Sequence, residues 1–275
     1  MLEVILLSLI VVLFWVFDDI ASKVFIKRLG KDISIVLILA IGIVPIFLLN
    51  ITISTFEIDF LSIFSGIISG IFLFFGYYLV YQSVKYRGVS NSFIIVEIQP
   101  IILALFGLLV LNEYLSLYRY ILSIFIITGL SLILINDKIK IDKKLVPSLV
   151  GNISWTSYWL VFVIFSNINN YLTILSIARI TSFLLSLYFI KKENRKFSAS
   201  IIMLILLAGI ADGTANSIFG FIANIHQLTL GSILLTLDPI IVWLFGYIIY
   251  KERITDLQKI GFTIATVSYI LFTLF

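Results

Sequence analysis

The sequence predicts an all-α membrane protein of ten transmembrane helices arranged as two inverted five-helix repeats, and three observations carry that prediction. Of 275 residues, 61% are hydrophobic and only 12% charged, with a mean hydropathy of +1.17, too little polar surface to coat a water-soluble globule. Apolar runs of roughly 18 to 25 residues recur along the whole chain, each long enough to cross a hydrocarbon core about 30 Å thick. The two halves of the chain also repeat one another at a shift of 139 residues, the mark of an internal duplication.

Cutting each apolar run at its charged or turn-rich breaks predicts spans over residues 2–26, 33–50, 58–82, 88–111 and 117–135 in the first half. The second half continues with spans over 146–166, 170–190, 198–223, 228–250 and 255–275. The runs are continuous rather than alternating, so they read as helices and not as barrel strands. The first run lacks a basic n-region and an A-x-A-like cleavage site, and it reads as a retained helix rather than a signal peptide. The first repeat is placed at residues 1–136, a basic linker at 137–145 and the second repeat at 146–275.

Charge and composition set the surroundings. Lysines and arginines fall almost entirely in the odd-numbered loops, among them Lys27, Arg28 and Lys31, then Lys85 and Arg87, then Lys138, Lys140, Lys143 and Lys144. The same holds for Lys191, Lys192, Arg195 and Lys196, and for Lys251, Arg253 and Lys259. The positive-inside rule puts those loops in the cytoplasm of a multi-pass cell-membrane protein and both chain ends outside. The net charge of +4 therefore reflects orientation in the bilayer, and no nucleic-acid partner is expected. The chain has no cysteine and a single histidine, His226. Disulfides, thiolate or histidine metal sites and a cysteine nucleophile are excluded, and no cofactor is predicted.

The internal repeat is clearest around two prolines. The shift brings Gly70 onto Gly209, Pro100 onto Pro239, Gly107 onto Gly246 and Glu113 onto Glu252. Ile98-Gln99-Pro100-Ile101-Ile102 stands opposite Leu237-Asp238-Pro239-Ile240-Ile241. Five helices per half is an odd number, so the second half enters the membrane in the opposite sense. Inverted repeats of this kind hold their binding sites near the bilayer midplane, where the halves meet.

Over nearly its whole length the chain resembles the drug/metabolite transporter superfamily in its ten-helix EamA-like family. Phe14-Trp15-Val16-Phe17-Asp18-Asp19-Ile20-Ala21-Ser22-Lys23 is similar to that family's opening L-W-G-x-N-F-x-x-S-K stretch, with Val16 in place of its glycine. The blocks Val89 to Ser116 and Leu228 to Thr255 resemble its helix with a midspan proline and a G-E-x-L-T-like end. Here those ends read Asn112-Glu113-Tyr114-Leu115-Ser116 and Lys251-Glu252-Arg253-Ile254-Thr255. The resemblance implies a transporter with a central cavity and names no substrate. It also implies cytoplasmic chain ends, opposite to the charge count.

An ionisable side chain deep in a helix costs about 2.5 to 3.5 kcal/mol on insertion, so each one requires a partner, water or a function. Glu97 and Asp238 lie midway along the fourth and ninth spans, just before Pro100 and Pro239, which are the candidate hinges. Each proline removes a donor and frees a carbonyl on the preceding turn. Gly209, Asp212, Asn216 and Phe219 share one face of the eighth span, and Ser176, Arg179 and Ser186 one face of the seventh. Asp18, Asp19 and Lys23 cluster on the first. Some of these charges are expected to pair internally, Arg179 with Glu97, Asp212 or Asp238, and Lys23 with Asp19. The acids outnumber the bases, which leaves a carboxylate for a proton or for a cationic group of a substrate. Aromatic faces suited to a cation are read on the third span, with Phe74, Tyr77 and Tyr81 on one face and Tyr78 and Gln82 beside it. Trp155 and Trp159 on the sixth span and Trp243 on the ninth are read likewise, with Trp155 the foremost candidate. Gly66 and Gly70 read as close helix packing, His226 as solvated, and Glu113 and Glu252 as helix caps or anchors.

The expected function is secondary transport of a small polar metabolite, such as an amino acid or amine, by alternating access, with protons as a candidate coupling ion. No G-x-x-x-x-G-K-[ST] motif is present, so ATP is not the energy source. The chain is expected to act in the lipid bilayer as a monomer or homodimer and not as an enzyme. The competing classes are an intramembrane enzyme, for which no catalytic pair is evident, and a passive channel or structural subunit.

Overall fold

The computed structural model describes residues 2–53, 58–87, 98–134, 146–190, 197–250 and 255–274. Glu97 and Glu252, and the linker 137–145, lie outside the described residues. All regular structure among the described residues is helical. The helices are α1 (Leu2–Leu29), α2 (Lys31–Ile53), α3 (Phe60–Arg87), α4 (Ile98–Leu109), α5 (Leu117–Leu134) and α6 (Val146–Phe165). They continue with α7 (Tyr171–Phe189), α8 (Ala199–Asn224), α9 (Leu228–Leu235), α10 (Leu237–Tyr250) and α11 (Asp256–Leu274). Seven of them, α1–α3, α6–α8 and α11, are long and apolar enough to cross a membrane, and the remaining ones are shorter apolar helices. Each predicted span contains a helix, and the fourth is described only from Ile98, since residues 88–97 lie outside the described residues.

The ninth span is the exception to continuity, because it divides into α9 and α10 at Thr236. Pro239 stands in the first turn of α10, where its missing N–H costs nothing, but it leaves the Leu235 carbonyl without its helical donor and its ring crowds that carbonyl. Helix α9 ends there, and the Thr236 N–H turns back to the Ile233 carbonyl at 3.1 Å.

Packing is set by glycine and by small hydroxyls, because between lipid-immersed helices there is no aqueous driving force and close approach must supply the attraction. Helix α1 lies against α8, α9 and α10; α2 against α7 and α8; α3 against α6 and α7; α4 against α9; and α5 against α11. A Cβ at Gly66 would fall 2.7 Å from the Ile177 Cβ and one at Gly70 2.5 Å from the Ala178 carbonyl oxygen. Their counterparts on α8 are Gly209, where a Cβ would meet the Ile41 Cβ at 2.7 Å, and Gly213, where it would meet the Gly42 carbonyl oxygen at 2.3 Å. The glycine spacing thus does pack helices. Gly66 and Gly209 each face an isoleucine Cβ, and Gly70 and Gly213 each face a backbone carbonyl oxygen. Ser182 seals the α3–α7 crossing by donating to the Gly70 carbonyl at 2.7 Å. Outward, Leu2, Leu6, Ile10, Leu13, Phe17 and Val24 form an exposed apolar stripe along α1. Such a stripe is stable only against lipid or another apolar surface.

Candidate functional site

A cavity of about 80 Å³ lies within the bundle, lined by Trp15, Asp18, Asp19, Leu73, Tyr77, Gln99, Pro100, Trp155, Tyr158, Trp159, Asp212, Asn216, Leu235 and Asp238. Helical spacing delivers these side chains. On α1 the positions are Trp15, Asp18 and Asp19, and on α6 they are Trp155, Tyr158 and Trp159, the same i, i+3, i+4 set. Asp212 and Asn216 are one turn apart on α8, as are Leu73 and Tyr77 on α3. Gln99 and Pro100 come from the start of α4, and Leu235 and Asp238 flank the break between α9 and α10.

The aromatic wall is interlocked edge to face, the arrangement that ring quadrupoles favour. Trp159 meets Phe219 at 4.6 Å between ring centroids and Trp15 meets Phe219 at 5.8 Å. Trp155 stands edge-on to Tyr77 at 5.2 Å. Its seat requires Gly76, where an added Cβ would come within 2.1 Å of the indole.

The acids divide into two kinds. Asp212 is neutralised by Arg179, whose guanidinium donates directly to its Oδ2, and the Asn216 amide donates to its Oδ1 at 2.9 Å. The Tyr158 hydroxyl donates to the Asn216 Oδ1 at 3.1 Å, which extends the network to the cavity wall. Arg179 itself is 1% exposed and stands behind the cavity, beneath the Tyr77 ring at 5.9 Å. Of the three acids expected to compete for Arg179, Asp212 takes it. Asp18 and Asp238 are 4% and 6% exposed, and the Oδ1 of each is buried without a hydrogen-bond partner.

Nine of the residues singled out from sequence therefore meet at one cavity: Asp18, Asp19, Tyr77, Pro100, Trp155, Trp159, Asp212, Asn216 and Asp238. Tyr78 does not join them. Consecutive helical residues diverge by about 100°, so Tyr77 faces the cavity while Tyr78 covers the Lys31 amino group at 3.2 Å. Gln82 is half-buried and does not line the cavity, and Pro239 stands beside it in the first turn of α10. Trp15, Gln99 and Tyr158 were not singled out from sequence. A repeat shift of 140 in place of 139 lays Trp15 on Trp155, and that signal was available.

At the other loops, the Glu113 Oε2 accepts from the Thr229 N–H at 2.6 Å and caps α9 from the end of α4. His226 is exposed.

The long apolar helices define the class as a multi-pass membrane protein. Residues 2–135 match the EamA-like transporter family, a family of the drug/metabolite transporter superfamily. Members of that family are transporters rather than enzymes. No curated protein matches the chain. Among solved structures, one crystal structure aligns over 99% of this chain and 98% of its own with a TM-score of 0.75 at 14% identity, a likeness of fold alone.

Proposed function

We propose that the chain is a secondary transporter that carries a small polar metabolite, an amine or amino acid, through the central cavity by alternating access between two inverted five-helix halves. The observation that carries this reading is a cavity in whose wall Asp18 and Asp238 are buried, the Oδ1 of each without a hydrogen-bond partner, an arrangement whose desolvation cost calls for a function. The match of residues 2–135 to the EamA-like transporter family supports the same reading.

The two-half arrangement, residues 1–136 and 146–275, is supported by how the packing behaves when the halves are exchanged. The α3–α6 contact corresponds to α8–α1, and α3–α7 to α8–α2, while α2–α7 and α5–α11 correspond to themselves. The matching wall positions on α1 and α6 follow the same exchange. Pro100 and Pro239 are the proposed hinges, and a proton is the proposed second occupant of the carboxylates. The charge bias of the loops supports both chain ends outside.

Purified protein in liposomes tests this reading with labelled amines and amino acids. Saturable flux is expected, with Asp238→Asn and Glu97→Gln losing gradient-driven accumulation. Turnover of substrate to product would mark an enzyme, unsaturable conductance a channel, and no flux of any kind a structural subunit.

A further inference from the structure

We propose that the substrate is an organic cation with an apolar body, held by Asp18 and Asp238 against the tryptophan wall. This rests on the transport reading and narrows its substrate class. Within the cavity wall stand four carboxylates, Asp18, Asp19, Asp212 and Asp238, and among the described lining residues there is no lysine, arginine or histidine. Arg179, the base behind the wall, pairs through its Nη2 with Asp212 and does not line the cavity. An anion would meet only like charge, and the carboxylate of a zwitterion would find no free cation to receive it.

Asp18 and Asp238 are the attachment points because each has a buried, partnerless Oδ1, and they come from opposite halves of the chain. An uncompensated buried carboxylate is strongly destabilising, and a bound cation relieves it. The rest of the wall chooses between cations. Calcium and magnesium take six or more oxygen ligands, and no group of three metal-ligating side chains that could hold any metal ion occurs among the described residues. Trp15, Trp155, Trp159, Tyr77 and Tyr158 instead present aromatic surface, which attracts an ammonium group and packs its hydrocarbon substituents.

The test titrates the detergent-purified full chain with benzyltrimethylammonium, benzyl alcohol, phenylalanine and benzoate. Tryptophan fluorescence reports occupancy, because three tryptophans line the chamber, and melting temperature provides a second readout. A saturable response to benzyltrimethylammonium alone is expected, weakened about tenfold or more by Asp18→Asn and by Asp238→Asn. Equal binding of benzyl alcohol, phenylalanine or benzoate by the unmodified protein overturns the proposal, whether or not the variants fold. No saturable response to the cation, or unchanged affinity in both variants, also overturns it. Flux in liposomes separates the two claims. Saturable movement of phenylalanine without the cation removes the cation proposal and leaves the transporter, whereas cation binding without flux keeps the site and removes the transporter.

Discussion

Arg179 and Asp212 are the pair on which the interior depends, since both are almost wholly buried and each is the other's counter-ion. Taking away one member of a buried pair costs more than taking away both, because the survivor is left charged and unsolvated. Arg179→Gln is therefore expected to destabilise the protein by about 3–5 kcal/mol, and adding Asp212→Asn to it recovers most of that loss. Melting temperatures of the detergent-purified variants decide the matter, and a double variant as unstable as the single one would show that the pair does not hold the interior together. Gly42 belongs to the same arrangement, for a Cβ there would stand 3.1 Å from the guanidinium carbon and crowd it out of its place.

Among the helices, the interrupted ninth span is the element whose ends require explanation. Its first part, α9, has eight residues, too few to be stable from its own hydrogen bonds. Glu113 supplies one missing partner by accepting the Thr229 N–H, and the Thr229 hydroxyl donates to the Ala104 carbonyl at 3.4 Å. The cap is thus built between α9 and the end of α4, and Gly107 makes room for it, since a Cβ there would fall 2.4 Å from the Thr229 Oγ1. Glu113→Ala is expected to cost about 0.5–2 kcal/mol, the range for loss of a helix cap, while Glu113→Gln keeps an acceptor and most of the stability. Amide exchange at residues 229–231 is the measurement. Exchange unchanged in the alanine variant would refute the cap.

At the scale of the whole molecule, orientation is the property that charge alone proposes, and it opposes the orientation implied by family resemblance. The chain has no native cysteine, so single cysteines report directly. Lys27 and Asn169 are both exposed at helix ends, one in an odd loop and the other in an even one. A cysteine at Lys27 is expected to be shielded from an impermeant thiol reagent in intact cells, and one at Asn169 to be labelled. The opposite pattern would put both chain ends in the cytoplasm.

What the sequence determined by itself was the helical, membrane-spanning class, the order of the apolar helices, and the short list of polar residues that lipid excludes. These are local consequences of hydrocarbon thickness and of the cost of burying charge, so each run carries its own information. The glycine spacing on α3 likewise announced close packing before any partner was known. Only the tertiary structure decided which acid Arg179 neutralises, that Tyr77 rather than Tyr78 faces the cavity, that Gly66 packs on Ile177, and that the ninth span breaks at Thr236. Each of these depends on how one helix is rotated and offset against another, and that geometry comes from side chains more than a hundred residues apart, as Gly66 with Ile177 and Glu113 with Thr229 illustrate.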